Sequence, residues 1–199
     1  MLSAHALTTI EELKSELLIS GNTEDSYLAR LINSASDAIR SYCGRDFAKE
    51  QRTERLSGAG GSLLLLPLYP IAEVDSIIMD GMALPPDSYD VDGKMGALIR
   101  VGGIWPPANE RNITVTYTGG YVTPVQAAAD PDLTRNLPYD IEEACIVTAA
   151  TWASHRGAPR DATTLQVEQI RVTFGDRDRD PAMIPLAVQH LLTSWRRWG

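Results

Sequence analysis

The residue types that most often carry catalysis are sparse in this chain and poorly spaced for it. Histidines stand at His5, His155 and His190. No two of them have the H-x-x-x-H spacing that turns a pair of imidazoles toward one metal. Cys43 and Cys145 are the only thiols, and neither has a ligand neighbour. Both fall in helical patterns, so they are expected as small reduced core residues rather than as a disulfide. Carboxylates are plentiful, but Glu11/Glu12, Glu142/Glu143 and the run Asp176 to Asp180 lie at helix starts or in loops. Helix dipoles and solvation account for them there. No serine sits in G-x-S-x-G. The glycine cluster Ser57-Gly58-Ala59-Gly60-Gly61 lacks the following Lys-Ser/Thr and helix of a phosphate loop, and reads as a turn. Tyr89 to Gly93 lacks the third oxygen position and the late Glu of a calcium loop, and reads as a strand entering a turn. No catalytic, cofactor-binding or metal-binding residue is expected, and the chain is read as not an enzyme.

Recognition is the chemistry that the residues do support. The chain ends Leu191-Leu192-Thr193-Ser194-Trp195-Arg196-Arg197-Trp198-Gly199. Trp and Arg are the side chains most enriched in interface hot spots. Trp195, Arg196, Arg197 and Trp198 are therefore the candidate partner-binding residues. Two readings of this end stand side by side. In one, Pro181 and the charged run before it loosen Asp180 to Gly199 as an arm. In the other, Val188, Leu191, Leu192 and Trp195 form a core stripe and the helix packs on its own protein.

The element that must organise the rest runs from Thr23 to Phe47. Leu28, Leu31, Ile32, Ala35, Ile39, Tyr42 and Cys43 recur at i, i+3, i+4, i+7, which is one stripe of an amphipathic helix. Leu28, Leu31, Ile32, Ile39 and Tyr42 are taken as structural core. Gly44 stops the helix. A shorter helix precedes it, capped by Thr8 or Thr9, with Ile10, Leu13, Leu17 and Leu18 as its apolar side and Gly21-Asn22 as its end. From Glu50 to Tyr121 the period changes. Strands are predicted at 52–56, 63–66, 74–79, 97–101 and 112–117, with Asp80-Gly81 and Asp92-Gly93 as tight turns. Together they read as a small, mostly antiparallel meander, with Trp105-Pro106-Pro107 in a connection. Tyr121 to Pro138 reads as an irregular connector. A helix follows over Ile141 to His155, capped by Asp140, then a strand or extended arm over Thr163 to Phe174, then a final helix from Leu186 to Trp198.

With 199 residues, 44% of them hydrophobic, the chain is long enough for a proper core. Eighteen Lys and Arg against 26 Asp and Glu give a net charge of −8. That balance argues against broad binding to phosphate backbones. No stretch reaches the roughly 18 to 20 apolar residues of a membrane span. The start, MLSAHALTTIEELKSEL, lacks the basic and apolar regions of a signal peptide, so cytoplasmic synthesis is expected. The fold class is α+β, a small helical bundle around the long helix with an inserted antiparallel β-sheet. One domain is expected over 1–199, its helical core at 8–47 and 138–199 and its β lobe at 50–121.

The stretch ARLINSASDAIRSYCGRDF, followed by TERLSGAGGSLLLLPLYPIAEVDSIIMDG and GGIWPPANERNITVTYTGGY, resembles the head–tail connector (adaptor, or head-completion) proteins of tailed bacteriophages, prophages and gene-transfer particles. The resemblance runs to about Arg156 and weakens from Gly157 onward. It implies a structural virion protein made in the cytoplasm of a bacterial host. It implies a ring, typically of twelve copies, beneath the portal protein, docking a stopper or tail-completion protein. Genomic DNA would pass through the channel without sequence-specific binding, with no membrane involved. It also implies that the C-terminal segment, with Trp195, Arg196, Arg197 and Trp198, reaches the portal. Two other classes stay open on the residues alone: a packaging-related nucleic-acid-binding ring, such as a terminase small subunit, and an acidic hydrolase.

Overall fold

Local chemistry starts each helix where its residues demand. Thr9 is extended, and its side chain accepts a hydrogen bond from the Glu12 N–H, which opens α1, Ile10–Leu17. Leu18 closes it in the left-handed conformation (φ 55°). The following α2, Asp25–Cys43, ends at Gly44 with φ 65°, and the Gly44 N–H returns to the Arg40 carbonyl. The remaining helices are α3, Pro124–Ala129, α4, Tyr139–Ser154, and α5, Leu186–Leu192, the last continued by a single 3-10 turn over Thr193–Trp195. In this computed structural model the residues described are 1–107, 111–154, 164–167, 170–173 and 184–196.

The chain divides into two compact units. One comprises Met1–Gly44, Pro124–Ala129 and Leu137–Gly199; the other comprises Arg45–Thr123 and Asp130–Asn136. In the helical unit, α4 packs against α1, α2 and α5. α4 carries apolar residues on several sides because it has three neighbours to satisfy. From α2, Leu28, Ile32, Ala35, Ile39 and Cys43 are buried; Leu31 and Tyr42 are half-buried. Complete burial of Leu28, Ile32 and Ile39 stabilises by roughly 1.5–3 kcal/mol each. Several polar groups in this interior are paired. Ser36 Oγ donates to the Ile32 carbonyl (2.8 Å) and accepts from the Leu7 N–H (3.1 Å), and lies 3.4 Å from Cys145 Sγ. Thr8 Oγ1 donates to Glu142 Oε1 at 3.4 Å. Both cysteines are free and buried. A two-stranded antiparallel hairpin, β8 (Thr164–Val167) with β9 (Ile170–Thr173), occupies the stretch expected as a strand or arm.

The second unit is a sandwich of two sheets rather than a meander. β1 (Glu50–Leu56), β7 (Ile113–Gly119), β3 (Ile71–Met79) and β4 (Met82–Ala83) form one sheet in the order β1-β7-β3-β4. β2 (Leu63–Leu65), β6 (Ala97–Arg100) and β5 (Tyr89–Asp92) form the other, in the order β2-β6-β5. All pairings between these strands are antiparallel. The physical reason for two sheets is that each presents one apolar face that a single layer would leave in water. Leu64, Leu66 and Leu98 from one side join Ile77, Ile113, Val115 and Tyr117 from the other in one buried cluster.

Trp105 fills the centre of that cluster. It is fully buried and its indole N–H donates to the Leu98 carbonyl at 3.2 Å. Gly58 is required by this packing: a Cβ there would lie 2.4 Å from the Trp105 carbonyl oxygen. The glycine cluster is thus a close-approach turn around a tryptophan. Arg45, only 6% exposed, stacks its guanidinium over the Tyr69 ring (3.4 Å) and the Phe47 ring (4.9 Å) and donates to the Tyr69 carbonyl. The strands that lead into and out of this unit are joined to each other, with Lys49 N–H to Tyr121 O (2.7 Å) and Tyr121 N–H to Phe47 O (2.6 Å). Asp130–Asn136 returns to the same place: Asn136 Oδ1 accepts from the Val122 N–H, and Asn136 N–H donates to Val122 O.

Candidate functional site

Among the described residues, no group of three or more His, Cys, Asp and Glu is placed to hold a metal ion. His5 and His190 are exposed on separate segments, and His155 lies outside the described residues. The Cys145 thiol is pushed up to about 12, chiefly by burial and also by the charge of Glu142, against the Ser36 hydrogen bond. A thiol so placed is a poor nucleophile at neutral pH. In the β unit, Tyr117 donates to Glu54 Oε2 and accepts from the Leu68 N–H. Burial first, then the Glu54 charge, raises that phenol well above its ordinary value. Arg52 bonds Asp46 at 2.6 Å and also bonds Glu50. These are closed ion and hydrogen-bond networks that hold strands in place.

The candidate recognition residues behave differently. α5 lays Val188 and Leu192 into the helical unit, and both are buried. This brings Trp195 and Arg196 to α4 and α2. The Trp195 indole N–H donates to Asp140 Oδ2 at 2.7 Å. The other oxygen of Asp140 accepts from the Ile141 N–H at 3.0 Å. The Arg196 guanidinium lies over the Tyr42 ring, 5.0 Å from its centroid, and the Tyr42 hydroxyl donates to the Gln189 carbonyl at 3.3 Å. Tyr139, beside Asp140, is 79% exposed. The structure thus brings Trp195 and Arg196 together with Tyr42, expected as core, and with Asp140, expected as a cap. Arg197 and Trp198 lie outside the described residues. Sequence reasoning missed the carboxylate and phenol that pin this end. The available signal was the Pro138-Tyr139-Asp140 start of α4, which places a second acceptor beyond the cap.

An aromatic, guanidinium and carboxylate set held on a helical unit is the chemistry of surface recognition. The chain matches the head completion protein family over residues 6–198, and it belongs to that family. It is also similar in fold to solved structures. One chain comes from the neck of an empty GTA particle computed with C6 symmetry: TM-score 0.61, 18% identity, covering 97% of this chain and 91% of that one. A second comes from the neck of a native GTA particle computed with C12 symmetry: TM-score 0.62, 16% identity, covering 100% and 93%. A third belongs to the virion of a native gene transfer agent particle: TM-score 0.60, 18% identity, covering 100% and 93%. No curated protein matches the chain. Membership in the family makes this a structural virion protein of the head–tail junction.

Proposed function

We infer that the protein forms a ring of identical copies in the neck of a phage-like or gene-transfer particle. The ring sits beneath the portal, presents its far side to a stopper or tail-completion protein, and lets DNA pass without sequence-specific contact. The observation that carries this reading is the family match over residues 6–198. The symmetric necks that share the fold, at C6 and C12, support it. The net charge of −8 supports the passage of DNA, since a surface of that sign does not hold a polyanion.

The portal contact is assigned to the folded chain end. Asp140 and Tyr42 hold Trp195 and Arg196 on the helical unit, so the contact is made by a docked helix and its following turn rather than by a free arm. A pre-ordered surface loses less side-chain entropy on binding than an arm does. Electron microscopy of the purified protein mixed with its portal tests the whole reading. The expected image is a closed ring on one end of the portal. Absence of any added ring density, with the protein recovered unbound, would overturn it. Arg196→Ala should weaken co-sedimentation with portal while leaving the melting temperature nearly unchanged, because the side chain is exposed.

A further inference from the structure

The β unit leaves apolar side chains where a sandwich should be polar. On the outer face of the three-stranded sheet, Leu63 is 44% exposed, Leu65 45% and Ile99 38%. Their neighbours in sequence, Leu64 and Leu98, point inward and are buried. Strand alternation puts polar residues on a solvated outer face, so three branched side chains there mark a surface that is covered in use. Register fixes what accompanies them. Leu63 pairs with Ile99, and Ile99 with Asp90, which makes one row across the sheet: Leu63, Ile99, Asp90. Asp90 is exposed, and its carboxylate has no hydrogen bond or ion pair among the described residues.

The opposite outer face carries the counterpart. In the four-stranded sheet Ile77 faces the buried cluster, so Ile78 faces out, and it is exposed. Its row, again by register, is Arg55, Thr114, Ile78, Ala83. Arg55 is exposed, and among the described residues its side chain donates to the Arg111 carbonyl, at 3.4 Å. Strands lie about 4.8 Å apart, so charge and apolar side chain are about 10 Å apart in both rows. Laid face to face, Asp90 meets Arg55, Ile99 meets the Thr114 methyl, and Leu63 meets Ile78.

We propose that these two faces bind each other between neighbouring copies, the Leu63–Ile99–Asp90 row of one copy seated on the Arg55–Thr114–Ile78 row of the next. The proposal deepens the ring reading above and rests on it. Two different patches on opposite sides of one unit make a head-to-tail contact, which repeats rather than stopping at a pair and closes as a ring when the rotation between copies closes, as the ring reading requires. The occupant is a second copy because the complement is on the same chain, in matching order and of opposite charge.

Sedimentation velocity of the full chain over a range of concentrations, alone and with portal, tests this. Wild type, Asp90→Arg, Arg55→Asp and the double exchange are compared after circular dichroism confirms their fold. Each single exchange juxtaposes like charges and should weaken assembly by about tenfold or more, and the double exchange should restore it to within about threefold. Leu63→Thr, which keeps strand propensity, should weaken assembly without altering charge. If wild type never assembles, alone or on the portal, the ring reading falls and this interface with it. If wild type assembles and the single exchanges assemble equally well, the ring stands and this interface is overturned. Loss of portal binding with intact self-assembly would also overturn it, by giving the face to another protein.

Discussion

Cys145 illustrates how one residue here is settled by its surroundings. It is fully buried against Ser36, and its thiol is pushed up to about 12 from an ordinary 9.0. The folded chain therefore keeps the proton that the unfolded chain gives up. Below pH 9 both states hold it and the stabilisation is complete. Above pH 9 the unfolded state ionises first, and stability falls until the folded thiol also ionises near 12. Urea melts at pH 8 and pH 10 should show a larger loss for wild type than for Cys145→Ala; equal losses would contradict the assignment. A smaller alkaline loss persists in the variant because Tyr117 is raised in the same sense. Arg45 is the second residue with a checkable cost. Its guanidinium is buried against Tyr69 and Phe47, and Arg45→Ala removes both stacks and a carbonyl's donor. A loss of about 2–4 kcal/mol is expected, with Lys recovering little of it because an ammonium does not stack as a plane.

At the scale of elements, α2 is the part most exposed to a single cavity. Ile39→Ala should cost about 2–5 kcal/mol in a denaturant melt, and Leu31→Ala less, since Leu31 is only half-buried. Chain termination before Leu186 should cost about 3 kcal/mol or more, because it strips Val188, Leu192 and the Trp195–Asp140 bond from the helical unit. Unchanged stability would mean that α5 does not dock in solution. These elements differ in how readable they are from sequence. α2 is legible because its stripe and its terminal glycine are both local signals, and the left-handed Gly44 lies where the pattern puts it. α1 ends early because Leu18, not a glycine, takes the left-handed turn, and leucine gives no such signal. α3 is hidden in a proline-containing connector because Pro124 stands at its first position, where its missing N–H costs nothing. The strands are visible by alternation, but their division into two sheets is not. That depends on which apolar faces meet across the core, and pairing such as Leu56 with Ile113 spans far more sequence than any periodic signal. Trp105, in a Pro-rich connection, reads as loop and proves to be the largest buried side chain of its unit. The candidate recognition residues stand out by type alone, while the Asp140 and Tyr42 partners that fix Trp195 and Arg196 come from helices far away in the chain.

At the scale of the whole molecule, charge sets the expected behaviour toward nucleic acid. With eight more acids than bases, the purified protein should not shift the anisotropy of a labelled DNA duplex at about 0.1 M salt. Saturable, salt-sensitive binding would return the packaging-protein reading to first place. The other whole-molecule property lies in how the β unit is hung. Its first and last strands are laced to each other through Phe47, Lys49 and Tyr121, and Asn136 ties the returning segment to Val122. The chain that leaves at Gly44 is thus handed back beside its point of departure, with the closure settled by bonds inside the β unit. For a recombining genome this makes the segment from Arg45 to Thr123 a transferable cassette, provided that its replacement keeps the Val122 contact to Asn136, while α3 stays with the helical unit. A foreign β unit whose two ends are laced in the same way could replace it in frame while leaving the long helix and its partners to fold unaltered.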